Sequence, residues 1–436
     1  MTQQLALLGG PPTVTERNGR RWPEIRDEDR AAIARVLDRG VLSGAKAPEI
    51  TALEAEYAGY HGMRHCVAVN SGTAALHACA VAAGVLPGDE VIVPAFTFIA
   101  SAMAMSNQGA RPVFCDVQPR TFNLDPTRVE ERITERTRAI VAVHLHGMPA
   151  DMEELLVLAG RHGLAVIEDS AQAHGALYRG RKVGTMGLCA GSSLQESKNL
   201  PAGEGGLFLT DDEECDLAAR RLRMFGEDLF EPRFGRFYWS QGIGFNYRLQ
   251  ELSAAFARSQ LRRLDAYNEK SRENARAFTG AIAGVRGLLA PLEPPDRESV
   301  WRVYRVVVDP EPLGYTGPVS ELRDRIVRAL DAEGVPVVLA YEHPLTAHPA
   351  FRRAPVPWMP GDDPALDQWD PDEFPVTRHL VESSFLIDPA RPFCIQDATV
   401  LEQYAAAIRK VMAGVDELLE ASLPALERRP PRPDER

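Results

Sequence analysis

The chain lacks any apolar run of membrane-spanning length, which excludes a transmembrane helix. It also lacks a basic excess: the formal net charge is -12, whereas a general nucleic-acid binder presents a basic face. Cysteine is sparse. The six cysteines (Cys66, Cys79, Cys115, Cys189, Cys215 and Cys394) form no Cys-x-x-Cys pair, a pattern of reduced thiols and not of a disulfide framework or a zinc site. Residues 1–10 carry neither the basic n-region nor the apolar length of a secretory signal, so a cytoplasmic location is expected. Nucleotide-loop signatures are missing too. A Walker loop sets glycine directly before its lysine, and here Ser197 precedes Lys198. Gly242-Ile-Gly244-Phe245-Asn246-Tyr247-Arg248 lacks the third glycine of a dinucleotide fingerprint, which speaks against a nicotinamide-dependent dehydrogenase. What remains is ordinary for a globular protein: 436 residues, 45% hydrophobic and 25% charged, enough for two or three domains around a large core.

Residues 1–30 read as an arm with little periodicity, although helical spacing begins at 27 and runs to 42. Between about 50 and 260, β-rich runs at 66–69, 90–96, 111–117, 139–145, 164–169, 191–194 and 206–210 alternate with helical stretches such as 73–83 and 150–162. Such alternation predicts an α/β fold with a mostly parallel sheet covered by helices on both faces. Ligands of such sheets bind at the carboxyl ends of the strands. After a helical stretch at 250–279 come a Pro-rich segment at 291–296, a strand at 301–308, a helix at 319–333, an irregular region at about 343–375 and a helix at 397–420. The expected division is an arm (1–30), a large α/β domain (31–280), a small α+β domain (281–425) and a disordered tail (426–436). No internal repeat is found.

Several segments could carry chemistry. Lys198 follows a small-residue strand and precedes Gly203-Glu204-Gly205-Gly206. A lysine becomes a carbonyl-capturing nucleophile where its surroundings favour the neutral amine; most lysines are solvated instead. Glu168 and Asp169 end an apolar strand, and Asp169 could pair with a pyridinium nitrogen or with a structural arginine. Ser71, Gly72 and Thr73 open a small-residue helix whose free N–H groups suit an anion, or simply form an N-cap. Phe98 could stack on a flat ring or belong to the core. Ser193 offers a hydroxyl five positions before the lysine. His144 and His146 lie on one side of a predicted strand without a third ligand, so no metal site is expected. The arginines of 219–236 read as a solvated face.

Taken in order, Asn70-Ser-Gly-Thr-Ala-Ala-Leu76, Pro94-x-x-Thr97-Phe98, His144-Leu-His-Gly-Met-Pro-Ala-Asp-Met152, Glu168-Asp169-x-x-Gln172-x-His-Gly175, Ser193-x-x-x-Ser-Lys198 and Gly244-Phe-Asn246-Tyr-Arg248 resemble the DegT/DnrJ/StrS family. These are sugar and cyclitol aminotransferases among the aspartate-aminotransferase-like, fold-type I enzymes that use pyridoxal 5'-phosphate. The resemblance implies that Lys198 holds the cofactor as a Schiff base and shuttles a proton, and that Asp169 pairs with the ring nitrogen. Phe98 would stack on the ring, Gln172 would contact the ring or its phenolic oxygen, and Ser71, Gly72, Thr73 and Ser193 would hold the phosphate. Asn246 would reach the phosphate of a neighbouring subunit's cofactor, which implies a homodimer with shared sites. The implied reaction moves an amino group from L-glutamate or L-glutamine to a keto-cyclitol or keto-sugar in secondary metabolism. Gln195 and the opening Leu7-Leu8-Gly9-Gly10-Pro11-Pro12 resemble the branch acting on ketocyclitols such as scyllo-inosose. The alternatives are a nucleotide-linked keto-sugar as acceptor, or a pyridoxal-binding protein with another reaction or a regulatory role.

Overall fold

The computed structural model describes residues 4–16, 20–228, 239–351, 370–390 and 392–423. The expected tail and the centre of the irregular region at 343–375 lie outside these residues. Strands β1 (His65–Val69), β2 (Glu90–Pro94), β3 (Arg111–Cys115), β4 (Thr137–Val143), β5 (Ala165–Asp169), β8 (Cys189–Ser193) and β9 (Gly206–Thr210) form one seven-stranded sheet. The short pair β6 (Leu177–Tyr178) and β7 (Arg181–Lys182) stands apart as a hairpin. The sheet order is β1-β9-β8-β5-β4-β2-β3. Every strand but β9 runs the same way, and β9 opposes both of its neighbours. The near-continuous apolar sequence of β4, Ala-Ile-Val-Ala-Val, follows from burial on both faces.

Helices α1 (Asp27–Arg39), α2 (Pro48–His61), α3 (Gly72–Ala82) and α4 (Ala100–Asn107) precede the centre of the sheet in sequence. The small residues of α3 and β8 explain one another. A Cβ at Gly191 in β8 would come 2.8 Å from Leu76 Cδ2 on α3, so only glycine lets the helix lie this close to the strand. All six cysteines are buried and free. Arg223 is not the solvated residue that its charge run suggests: it is 1% exposed and paired with Glu54. Arg220 pairs with Glu54 and Asp216, because the buried Cys215, Ala219 and Leu222 of helix Glu213–Arg223 draw its arginine stems inward.

A second, antiparallel sheet joins Leu288–Leu289, Tyr304–Val308, Ser384–Ile387 and Val337–Val338. The helices Val319–Ala332 and Ala398–Ala413 share its core with Phe278, Tyr304 and Phe393. The N-terminal segment belongs to this core. Leu5 is buried within it, and Glu333 accepts hydrogen bonds from Ala6 N, Thr13 N and Thr13 Oγ1 while pairing with Lys410. The two sheets are fastened by Asp116, just past β3. Its carboxylate accepts from Val376 N, Thr377 N and Thr377 Oγ1 at the first turn of helix Pro375–Ser383, where free N–H groups and the helix dipole favour an anion.

Candidate active site

Because β1, β2, β4, β5 and β8 run in parallel, their carboxyl ends meet at one edge of the sheet. A cavity of about 390 Å³ opens there, lined among others by Ser71, Gly72, Thr73, Phe98, Asp169, Gln172, Ser193 and Lys198. Of the residues expected at the site, Asn246 alone is not on this wall. It is exposed, pairs with Met224 in an isolated bridge, and its carbonyl accepts from Asn70 Nδ2 at 3.4 Å.

Asp169 is 5% exposed. Its Oδ2 accepts from Ser101 Oγ at 2.7 Å and its Oδ1 from Ala171 N at 3.1 Å. Among the described residues it pairs with no cation. Burial pushes its pKa up against the pull of these two donors. Lys198 is the complementary case. Its Nζ makes no hydrogen bond or ion pair among the described residues, and its pKa is pushed down to about 8, first by burial and then by the charge of Arg302, with Asp169 and Glu204 opposing. An amine and a carboxylate, neither compensated, therefore face one chamber.

The first turn of α3 forms another wall. Ser71 caps the helix by accepting from Ala74 N at 3.1 Å, which leaves the N–H groups of Gly72 and Thr73 without intrahelical acceptors. A Cβ at Gly72 would stand 2.6 Å from Ser193 Cβ, so helix and strand pinch together only because this residue is glycine. The N-cap and anion-cradle readings of this segment are thus compatible. Phe98 is 52% exposed, a ring at the mouth of the cavity and not in the core. Gln172 is held by its neighbours: Oε1 accepts from His146 N at 3.0 Å, and Nε2 donates to Tyr341 Oη at 3.4 Å.

The two histidines do not alternate along a strand. His144 lies just past β4 and His146 takes a left-handed backbone, φ 61°. His144 Nδ1 accepts from Ala150 N, so its proton sits on Nε2 and is donated to Glu168 Oε2 at 3.0 Å. Glu168, fully buried, also accepts from the backbone N–H groups of Gly184, Met186 and Gly187. It stitches the segment after β7 to the end of β5, and its pKa is held low by His144 and these backbone donors against the effect of burial.

Ser101, Arg302 and Tyr341 bear on the site and were not singled out from sequence. Ser101 sits on α4, one turn past Thr97, whose hydroxyl lies 3.2 Å from its own. Arg302 and Tyr341 come from segments flanking the second sheet and line the cavity. The signal for Arg302 was a charge embedded in the apolar run Trp301-Arg-Val-Tyr-Arg-Val-Val-Val308.

The chamber fits pyridoxal phosphate. It offers a free amine for the aldehyde, an uncompensated carboxylate for the ring nitrogen, and a glycine-narrowed helix start with hydroxyls for the phosphate. Comparison with known proteins agrees. The profile of the DegT/DnrJ/EryC1/StrS aminotransferase family matches residues 23–358. The dTDP-3-amino-3,4,6-trideoxy-alpha-D-glucose transaminase of Streptomyces venezuelae is 41% identical over 76% of this chain and 82% of its own. The putative L-glutamine:3-amino-2,3-dideoxy-scyllo-inosose aminotransferase of Streptoalloteichus tenebrarius is 34% identical over 96% of this chain and 100% of its own. The crystal structure of S. venezuelae DesV superposes with a TM-score of 0.76 and 36% identity, covering 89% of this chain and 94% of that one. The chain is therefore a fold-type I aminotransferase that uses pyridoxal phosphate, and it belongs to the DegT/DnrJ/EryC1/StrS aminotransferase family.

Proposed function

We propose that the protein moves an amino group from L-glutamine or L-glutamate to the keto group of a cyclitol or sugar, in an aminocyclitol or aminosugar pathway of the kind that supplies antibiotics. The observation that carries this reading is the unpaired Lys198 amine sharing a chamber with the uncompensated Asp169 carboxylate. Pyridoxal phosphate, when bound, supplies an aldehyde that condenses with amines and a ring that stores the electron pair released at the substrate carbon. Lys198 would attach it covalently, and its pKa of about 8 leaves roughly a tenth of the amine neutral at pH 7, far more than an ordinary lysine keeps. Once freed, the same amine would take the proton from the nitrogen-bearing carbon of the donor and deliver it to the carbon of the former cofactor aldehyde, and would run the shift in reverse for the acceptor. Asp169, whose anionic form Ser101 Oγ and Ala171 N favour against the effect of burial, would hold the ring nitrogen protonated. Ser71, Gly72, Thr73 and Ser193, which line the cavity, would hold the phosphate, Phe98 would stack on the ring, and Gln172 would contact it.

A ketocyclitol acceptor is supported by the relative matched over its whole length, whose name specifies L-glutamine and a scyllo-inosose. A nucleotide-linked keto-sugar is the second reading, supported by the S. venezuelae relative, which is matched over less of its length. A cytoplasmic homodimer completes the proposal. Asn246 sits outside the cavity of its own chain, in a stretch where Trp239, Ile243 and Phe245 expose large apolar surfaces, as a segment that reaches a partner's site would. The test is borohydride reduction of the yellow protein, expected to fix the cofactor on Lys198. The pyridoxamine form is then offered a panel of ketocyclitols and keto-sugars with optical readout. Full turnover by Lys198→Ala would overturn the mechanism.

A further inference from the structure

We infer that Arg302 binds the carboxylate of the amino-acid donor inside the Lys198 cavity, an assignment that rests on the transaminase reading above. Arg302 lies just before strand Tyr304–Val308 and reaches across to the loop that carries the lysine. Its Nε donates to Ser197 O at 3.2 Å and its Nη2 to Ser197 Oγ at 2.5 Å. Both acceptors are neutral. Nη1 donates to no atom, and the guanidinium has no carboxylate within ion-pair distance among the described residues. Neither Asp169 nor Glu204, the carboxylates among the cavity's lining residues, makes an ion pair with it. A cation partly screened from water without a counter-ion is costly, and desolvation lowers the pKa of this half-buried arginine.

The neighbouring Arg305 shows what a satisfied arginine looks like here. It is 1% exposed and also lacks a carboxylate. Its three nitrogens, however, donate to His146 Nε2, Ser384 Oγ and Ala340 O. The rings of Phe96 and Tyr341 flank it at 5.0 and 5.3 Å. Each nitrogen of Arg305 thus donates once, which Nη1 of Arg302 does not. Arg302 lines the chamber together with a second cation, Lys198, and among the described residues keeps both protons of Nη1 and one of Nη2 undonated, a fork that matches a carboxylate.

Position selects the ligand. Arg302 is close enough to Lys198 for its charge to weaken the lysine's hold on a proton. In an α-amino acid the carboxylate is bonded to the very carbon whose nitrogen is transferred, so a guanidinium beside the reacting amine is within its reach. The diphosphate of a nucleotide-linked sugar is several bonds from the keto carbon and would lie elsewhere.

The experiment compares wild type, Arg302→Met and Arg302→Lys as cofactor-loaded proteins. Each is titrated with L-glutamine, L-glutamate, 4-aminobutanamide (L-glutamine without its α-carboxylate) and the unreactive dicarboxylate glutarate, and the cofactor spectrum is followed. Half-saturation by the amino acids should rise about tenfold to a hundredfold in Arg302→Met, the range for losing a charged hydrogen-bonded contact. A smaller rise is expected in Arg302→Lys. The weak response to 4-aminobutanamide should not change, and competition by glutarate should vanish in Arg302→Met. Half-saturation by L-glutamine within twofold of wild type would refute the assignment. So would an equal loss for 4-aminobutanamide, which would mark a structural effect through Ser197. Weakened competition by a nucleoside diphosphate in place of the amino-acid effect would also refute it. Should Arg302→Met fail to fold, Arg302→Lys decides alone: an unchanged half-saturation refutes, and a rise confined to the carboxylate ligands supports. A wild-type protein whose spectrum answers to no amino acid would sink the transaminase reading itself, an outcome distinct from any of these.

Discussion

Replacing Ser101 by alanine tests how the site keeps Asp169 ionised. The carboxylate is buried, has no cationic partner among the described residues, and holds two hydrogen bonds: Ser101 Oγ at 2.7 Å and Ala171 N at 3.1 Å. A hydrogen bond to a charged group contributes about 1.5–3 kcal/mol. Alanine at 101 removes the shorter bond and leaves one oxygen of a desolvated anion without a donor. The carboxyl pKa, already raised by burial, then moves further up. A protonated Asp169 cannot hold a pyridinium nitrogen, so apo-protein should bind pyridoxal phosphate about tenfold to a hundredfold more weakly near pH 6. The sign of the pH effect is fixed: the folded-state pKa is raised, so alkali restores the anion and the deficit shrinks as pH increases. Titration of wild-type and Ser101→Ala apo-proteins with cofactor from pH 6 to 9, read by absorbance, measures this. Thr97→Val, one hydroxyl further out, should fall between them. Wild-type affinity at pH 6, or a loss that does not vary with pH, would refute the reasoning.

Capture of pyridoxal phosphate by apo-protein should speed up through a midpoint near pH 8, not near the ordinary lysine value, because the Lys198 amine is held at about 8; rapid mixing at stepped pH reads the midpoint. Gly72→Ala should lose most phosphate affinity, since its Cβ would lie 2.6 Å from Ser193 Cβ. Adding Ser193→Gly should restore the packing but only part of the binding, as followed by inorganic phosphate competition. Glu333→Ala leaves Lys410 buried without its partner and frees the N-terminal segment. It should destabilise the protein by about 3–5 kcal/mol, seen as a lower urea midpoint and as early proteolysis before residue 16.

Much of the fold was legible in the residues because burial on both faces of a parallel sheet demands unbroken apolar runs, and these punctuate the chain regularly. The strand ends drifted by one or two residues, as at β4 and β8, because periodicity cannot say where pairing stops. The helix expected over 250–279 proved to be two, Glu251–Leu261 and Leu264–Ile282. One apolar stripe runs through both, and the break at Arg262-Arg263 carries no glycine or proline to announce it. The expected strand at 301–308 begins only at Tyr304, since Trp301 takes a left-handed backbone with φ 49°. That departure is a matter of local contacts and not of composition.

At the site the division is the same. Asp169, Gly72 and Ser193 were readable because each ends a strand or begins a helix at the edge where parallel sheets collect their ligands, and Lys198 because it follows the last of these strands by five residues. That property belongs to the order of elements and so to the sequence alone. What only the folded chain could decide is which distant groups lean on them. Ser101 reaches Asp169 across 68 positions and Arg302 reaches Ser197 across 105. Whether every nitrogen of an inward-facing arginine finds an acceptor, as in Arg305, or one is left without, as Nη1 of Arg302 is among the described residues, depends on side chains from several elements converging in space. Chain order encodes where a site will open, but charge compensation inside it is settled by three-dimensional proximity, because Coulombic and hydrogen-bond energies fall off over a few ångströms regardless of separation along the chain.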